Sequence, residues 1–258
     1  MMDALPVGSS LAVLALLGAV MGWLGGFLGT GGGTFAIPAL VLLLGYNQKL
    51  AQGTALVMVV VNVVFALMKY YGKGSVDVRA SATIALAGFL SAALSAAWAL
   101  KSLSNSQLQL MYGCFLVALA LFFGVVQKRA ALEQPMRDLW VVMPGLVGGV
   151  ALGLFGVGGA MLAVPLLVMF FGRSQVEAQG MGLALAFPGC AVSLFYYGSA
   201  SEVNWTEGAV LALGGIVGVP HGVKLAHALS EKKLRLAFSS LLVVAGTTML
   251  YRALRASP

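Results

Sequence analysis

Charge is what this sequence has least of. Only 9% of its 258 residues are Asp, Glu, Lys or Arg, against roughly 25% in a soluble domain, so a mostly wet surface is excluded. Eight are acidic, and none sits deep in an apolar run. That excludes the buried carboxylate relay by which many pumps move protons. Cysteine and histidine number two each, too few for a disulfide framework or a metal site. Cys114 and Cys190 both fall in apolar runs and are expected to be small buried hydrophobes. The pair Gly29-x-Gly31 lacks the Gly-Lys-Ser/Thr ending and the strand–turn–helix setting of a nucleotide loop. No cluster of Ser, His and acid suggests an enzyme, and no cofactor is called for. The alternating apolar and polar pattern of an outer-membrane barrel is missing. The leader Met1-Met2-Asp3-Ala4-Leu5 has no Lys or Arg, and no A-x-A site follows it. The first apolar run is therefore expected to be a retained span rather than a signal peptide.

Apolar residues make up 60% of the chain, and the mean hydropathy is +0.97. Several runs reach the ~20 residues that a helix needs to cross a hydrocarbon core about 30 Å thick. Such a core selects helices, because every backbone group must be satisfied within the segment. The segments read as 8–28, 33–45, 49–71, 79–99, 106–126, 139–157, 160–172, 177–197, 207–226 and 234–252. Charged residues gather at their ends, with Lys224 the deepest. The net charge of +7 is thus a property of loops, which meet anionic lipid and fix orientation. It does not point to nucleic acid.

The chain also repeats itself. Gly29-Thr-Gly-Gly-Gly-Thr-Phe-Ala-Ile-Pro38-Ala-Leu40 aligns with Gly156-Val-Gly-Gly-Ala-Met-Leu-Ala-Val-Pro165-Leu-Leu167, with six of twelve positions identical. The displacement is 127 residues (29 to 156, 38 to 165). It holds without a gap for Ala51-Gln52-Gly53 against Ala178-Gln179-Gly180, and for Ala85-Leu86 and Gly88 against Ala212-Leu213 and Gly215. The chain is a tandem duplication of about half its length.

Equivalent loops carry opposite charge bias. Lys69, Lys73 and Arg79 surround 71–79, whereas 198–206 has no basic residue. Lys101 stands alone near 100–105, whereas Lys224, Lys232, Lys233 and Arg235 gather near 224–235. By the positive-inside tendency these loops lie on opposite sides of the membrane, so the repeats are inverted. Inversion requires an odd number of crossings per half. The pieces 33–45 and 160–172, at ~13 residues, span only about 20 Å. We therefore expect 8–45 and 139–172 to be hairpins with glycine-rich turns inside the membrane. The expected fold is an all-α polytopic membrane protein of two inverted repeats, each a Gly-broken helical hairpin plus three transmembrane helices. Residues 1–126 form the first repeat, 127–138 a cytoplasmic linker, and 139–258 the second repeat. The plainer alternative, one broken span per half and eight crossings, makes the repeats parallel and conflicts with the charge placement.

The paired GxGG segments, each leading into an apolar run with a proline, resemble the TauE/SafE anion-exporter family over nearly the whole chain. The resemblance runs through Gly29 to Pro38 with Ala51-Gln52-Gly53, and again through Gly156 to Pro165 with Ala178-Gln179-Gly180. Gly214-Gly-Ile-Val-Gly218-Val-Pro-His-Gly222-Val-Lys224 is similar to the family's glycine-spaced helix ending in a basic residue. Its counterpart, Ser91-Ala-Ala-Leu-Ser95, has serines and no basic residue. The resemblance implies export of a small sulfur-containing anion: sulfite, sulfoacetate or a related organosulfonate. It leaves open which anion, the direction and coupling, and an uptake permease or channel-like carrier as the alternative.

The residues themselves also suit an anion. Broken helices in inverted-repeat transporters set helix N-termini near the midplane, where unpaired N–H groups and the positive dipole end meet anionic ligands. Gly31, Gly32, Gly33, Gly156, Gly158 and Gly159 let amides approach a ligand, or else let helices pack closely. Thr30 and Thr34 add hydroxyls. Gln52 and Gln179 are equivalent, and each offers two amide donors; Asn62, whose counterpart is Gly189, is one-sided. His221 and Lys224 lie a turn apart near a cytoplasmic end, where Lys224 either attracts substrate or snorkels to the interface. An anion leaving an inside-negative cell gains about 2.3 kcal/mol per charge per 100 mV, so export needs no coupling ion. The expected partners are a small anionic substrate and the lipid bilayer of the inner membrane, with a homodimer also open.

Overall fold

The computed structural model describes residues 7–28, 31–71, 78–125, 136, 138–228 and 231–256. Ten α-helices account for nearly all of them. The first half holds α1 (Val7–Leu28), α2 (Gly33–Leu43), α3 (Gln48–Tyr71), α4 (Val78–Ser102) and α5 (Asn105–Val125). The second holds α6 (Val142–Phe155), entered through a 3-10 turn at Asp138–Val141, then α7 (Gly159–Phe171), α8 (Gln175–Ser199), α9 (Trp205–Ala228) and α10 (Glu231–Ala256). Each falls on a segment expected from the sequence. The linker expected at 127–138 lies outside the described residues, apart from 136 and 138.

Among the described residues, four helical stretches are long and apolar enough to cross a membrane: Gln48–Met68, Val78–Ser102, Asn105–Phe122 and Glu177–Ser199. The two middle pieces are short, as expected. Helix α2 has 11 residues and α7 has 13, or about 16 and 20 Å at 1.5 Å per residue. The second hairpin departs from expectation in its first arm. Helix α6 has only 14 residues, whereas α1 has 22. Pro144 lies in the first turn of α6, where its missing N–H costs the helix nothing.

Pairwise packing follows the duplication. Helix α1 lies along α9, with Gly18 against Leu211, Gly22 against Gly215 and Gly26 against Val219. Residue numbers rise together, so the two helices run parallel. Displaced by 127, the same contacts recur between α6 and α4: Gly145 against Ile84, Gly149 against Gly88, Gly153 against Ala92. A Cβ at Gly22 or Gly149 would overlap the facing backbone. Close approach is what makes these two seams the most extensive in the molecule, and small residues every fourth position are how helices associate without a hydrophobic drive.

Equivalent helices pair the other way. Gln52, early in α3, meets Tyr197, late in α8, while Val64, Leu67 and Met68 share an apolar groove with Phe187. Helices α3 and α8 are therefore antiparallel. So are α5 and α10, where Gly113 lies against Leu250 and Val117 against Gly246. Each half thus lends its first helix to the fourth helix of the other, and a two-fold relation runs across the helices rather than along them.

Candidate functional site

Both hairpins break at left-handed glycines, with α7 starting one residue earlier than α2 in the register of the repeat. Gly32 and Gly158 precede α2 and α7 at φ +88° and +90°, in the left-handed region that side chains with a Cβ rarely enter. The Phe35 and Ala36 amides both donate to the Gly32 carbonyl at 3.2 Å, and the Leu162 amide donates to Gly158 at 3.1 Å. The amides of Gly33 and Thr34, and those of Gly159, Ala160 and Met161, come before these first helical bonds and are the orphan donors of a helix start. All five residues are buried.

The two starts meet. Gly33 packs against the Val157 side chain, and Thr34 Oγ1 donates to Met161 Sδ at 3.3 Å. Thr34 and Met161 are equivalents, 127 residues apart, so their contact lies on the two-fold relation. Two positive helix ends, each worth about half an elementary charge, converge on one buried point. Such an arrangement favours an anion.

Two tyrosines, which the sequence reading did not single out, complete the breaks. Pro38 in α2 has no N–H to offer the Thr34 carbonyl one turn back. Tyr112 of α5 fills the vacancy, donating to that carbonyl at 2.8 Å. Tyr197 of α8 donates to Gln52 Oε1 at 2.7 Å and lies 3.3 Å from the Leu154 carbonyl at the end of α6. The signal was present: a buried Tyr nearly always finds a partner for its hydroxyl, and both lie within apolar runs.

The expected residues separate into two groups. Gly31, Gly32, Gly33, Thr34, Gly156, Gly158, Gly159, Gln52 and Asn62 gather at the breaks. Gln52 is fully buried, and its Nε2 has no hydrogen-bond partner among the described residues. Asn62 donates through Nδ2 to the Gly31 carbonyl at 3.1 Å. Its Oδ1, an acceptor, is left over, so Asn62 clips the first break rather than presenting a donor to an anion. Gln179 is half-buried in the first turns of α8. His221 and Lys224 are not brought in. Both face outward from α9, with His221 Nδ1 held 2.9 Å from the Val217 carbonyl. Thr30 lies outside the described residues. Of the cysteines, Cys190 is buried as expected and Cys114 faces outward, where lipid is as apolar as a core.

One end of the bundle is tied by polar side chains. In the turn between α2 and α3, Tyr46 donates to the Glu207 carboxylate of α9 and accepts from Asn204 Nδ2 at 3.0 Å. Burial, then the hydrogen bond and charge of Glu207, push the Tyr46 hydroxyl well above its usual range.

Residues 14–249 match the family described as sulfite exporter TauE/SafE. The chain belongs to this family. It is similar to a probable membrane transporter protein of Methanocaldococcus jannaschii, at 26% identity over 93% of this chain and 95% of the relative. A probable membrane transporter protein of Xylella fastidiosa is 29% identical, over 95% of this chain and 96% of its own length. A third, YunE of Bacillus subtilis, is 21% identical over 95% and 99%. No solved structure matches. As a member of the family, the chain is a multi-pass membrane transporter.

Proposed function

We propose that this TauE/SafE protein is a secondary exporter in the inner membrane for a small sulfur-containing anion: sulfite, sulfoacetate or a similar organosulfonate. The substrate binds near the midplane between the two glycine breaks. The observation that carries the reading is the convergence of the α2 and α7 starts at Thr34 and Met161. Gln52 Nε2 adds a buried, unused donor, and the family's description as a sulfite exporter supplies the substrate class.

The halves 1–126 and 139–258 are inverted repeats joined by a cytoplasmic linker at 127–138, with both termini periplasmic. The antiparallel run of α3 and α8 supports this arrangement. The basic residues agree, since Lys69 lies in the last turn of α3 and Arg79 in the first turn of α4 while the α8–α9 turn has none. Cysteines placed at Ser75 and Ser201 report opposite sides by labelling; the same side for both removes the inversion.

Binding of sulfite, sulfoacetate, thiosulfate and taurine to purified protein tests the substrate. A carboxylate or sulfonate gains charge-assisted hydrogen bonds, about twice as strong as neutral ones. The ammonium of taurine meets no carboxylate here and is buried uncompensated. Taurine should bind at least tenfold more weakly than sulfoacetate, a difference of about 1.4 kcal/mol. Equal affinity overturns the anion site.

A further inference from the structure

Helix α5 carries polar residues where a lipid-embedded helix has no need of them. Asn105, Gln109 and Tyr112 recur at four and three residues and so share one face. The face begins at the end of the bundle, where Asn105 Oδ1 accepts from the Lys49 amide of α3 at 3.0 Å. It finishes at the breaks, where the Tyr112 hydroxyl holds the Thr34 carbonyl. The climb is about 10 Å at the helical rise.

Along the face, at Gln109, and at its entrance, at Gln48, lie buried amides without partners among the described residues. Gln109 is 8% exposed, and its Nε2 finds no acceptor among the described residues. Gln48, beside Lys49, is 1% exposed, and neither Nε2 nor Oε1 has a partner. Buried polar groups are nearly always satisfied by protein or ordered water. Two such side chains, on the helices that flank one polar face, mark a line along which water or solute replaces protein as the partner.

Two cations stand at this end of the bundle. Lys49 Nζ rests on the Leu100 carbonyl at the end of α4, at 3.1 Å. Arg252 of α10 donates to the Val41 carbonyl near the end of α2. The acidic groups at this end, Glu202 and Glu207, come from the α8–α9 turn and α9, where Glu202 packs on α3 at Gly53 and Glu207 is engaged by Tyr46.

We propose that the face of α5 bearing Asn105, Gln109 and Tyr112, together with Gln48 of α3, is the polar route along which a small oxyanion passes between this end of the bundle and the glycine breaks. The inference rests on the anion reading above and adds the path to it.

The test uses the full chain in proteoliposomes, with Cys114→Ser and Cys190→Ala, carrying either Gln109→Cys or the outward control Leu110→Cys. The probes are sulfonatoethyl methanethiosulfonate and its trimethylammonium counterpart. Gln109→Cys should react with the anionic reagent about tenfold faster than Leu110→Cys, as expected where nearby cations concentrate an anion. Sulfoacetate should slow that reaction. Reactivity no greater than the control's overturns the route and leaves the anion site untouched. Equal reaction with the cationic reagent keeps the route and overturns its anion selectivity. A second pair of variants, Gln48→Leu and Gln109→Leu, removes unpaired amides. Their melting temperatures should hold or rise while sulfoacetate transport falls about tenfold, since the line loses its hydrogen-bond partners. Unchanged transport overturns the route, and so does a joint loss of stability and transport.

Discussion

At the first glycine break, Gly31 hands its carbonyl to Asn62, and a Cβ on Gly32 would overlap the Met21 carbonyl oxygen of α1. At the second break, the position of Asn62 is taken by Gly189. Tyr197 and Gln52 stand near the end of α6 instead, and a Cβ on Gly158 would meet the ring of Phe115 at 2.7 Å. That ring stacks on Phe155 at 4.7 Å between centroids. At the equivalents by 127 residues, the contact of Gly32 is preserved, since a Cβ on Gly159 would likewise meet a backbone oxygen, that of Gly148, at 2.6 Å, while the side chains around Gly31 and Gly158 have diverged. Val59, Val63 and the Asn62 clip stand around Gly31, whereas the Phe115 ring stands over Gly158. A side chain can move without unfolding a helix, so in each half the glycine facing side chains, Gly31 or Gly158, has more room to yield than the one facing backbone.

The largest effect should come from breaking the shared backbone. Gly32→Ala places a Cβ in the left-handed region, at a cost of about 1–2 kcal/mol. It also drives that atom into a carbonyl that has no rotamer to change, adding about 1–3 kcal/mol of overpacking. Gly158→Ala carries the same strain, yet its neighbour is a ring that can turn. Thermal unfolding in detergent should rank Gly32→Ala well below Gly158→Ala. Phe115→Ala should recover part of the second loss and none of the first. Equal losses in the two variants would erase the distinction between a backbone neighbour and a side-chain neighbour.

Much of this was legible beforehand. The displacement of 127 residues located both breaks, because glycines followed by a proline at the same interval are hard to arrange by chance in one composition. Run length alone gave the helices, since a lipid core sets how long an apolar stretch must be. Facing was not legible. Leu94 is 74% exposed and Leu108 fully buried, yet nothing in the sequence separates them. In water the outer face would be polar, but in lipid both faces are apolar and periodicity loses its contrast. The outward placement of Cys114 and the inward reach of Tyr112 escaped for that reason. The glycine seams were visible at 18, 22, 26 and again at 145, 149, 153, but glycine spacing alone does not say which helix lies opposite.

An intermediate effect should separate the amides. Asn62→Leu leaves the Gly31 carbonyl buried and unpaired, a loss of about 1–3 kcal/mol in stability. Gln52→Leu removes the Tyr197 acceptor but also an unpaired Nε2, and Leu154 remains within reach of the tyrosine. Its stability should change by under about 1 kcal/mol, while sulfoacetate affinity falls about tenfold for the lost donor. Calorimetry and binding on the same preparations read both. If Asn62→Leu spares stability and abolishes binding, the clip and the ligand have been assigned the wrong way round.

The smallest effect concerns the pair on the two-fold relation, where the halves touch and differ. Thr34 Oγ1 gives its hydrogen to the thioether of Met161, a weak acceptor. An oxyanion is a far better one, so the hydroxyl is held in reserve rather than spent. Thr34→Val keeps the shape and loses the donor, and the fold should notice little, within about 1 kcal/mol. Binding should notice more: about a fivefold to tenfold loss for sulfoacetate, since a charge-assisted bond is the stronger of the two. Met161→Thr goes the other way, giving the second half the hydroxyl that the first half has. It should raise sulfoacetate affinity severalfold and, in the Thr34→Val background, restore most of what was lost. Titration calorimetry on the four combinations forms a double-mutant cycle, in which residues in contact show coupling. Restoration would show that the two positions serve one ligand from opposite sides. Additive, independent changes would mean that the hydroxyl belongs to the first half alone.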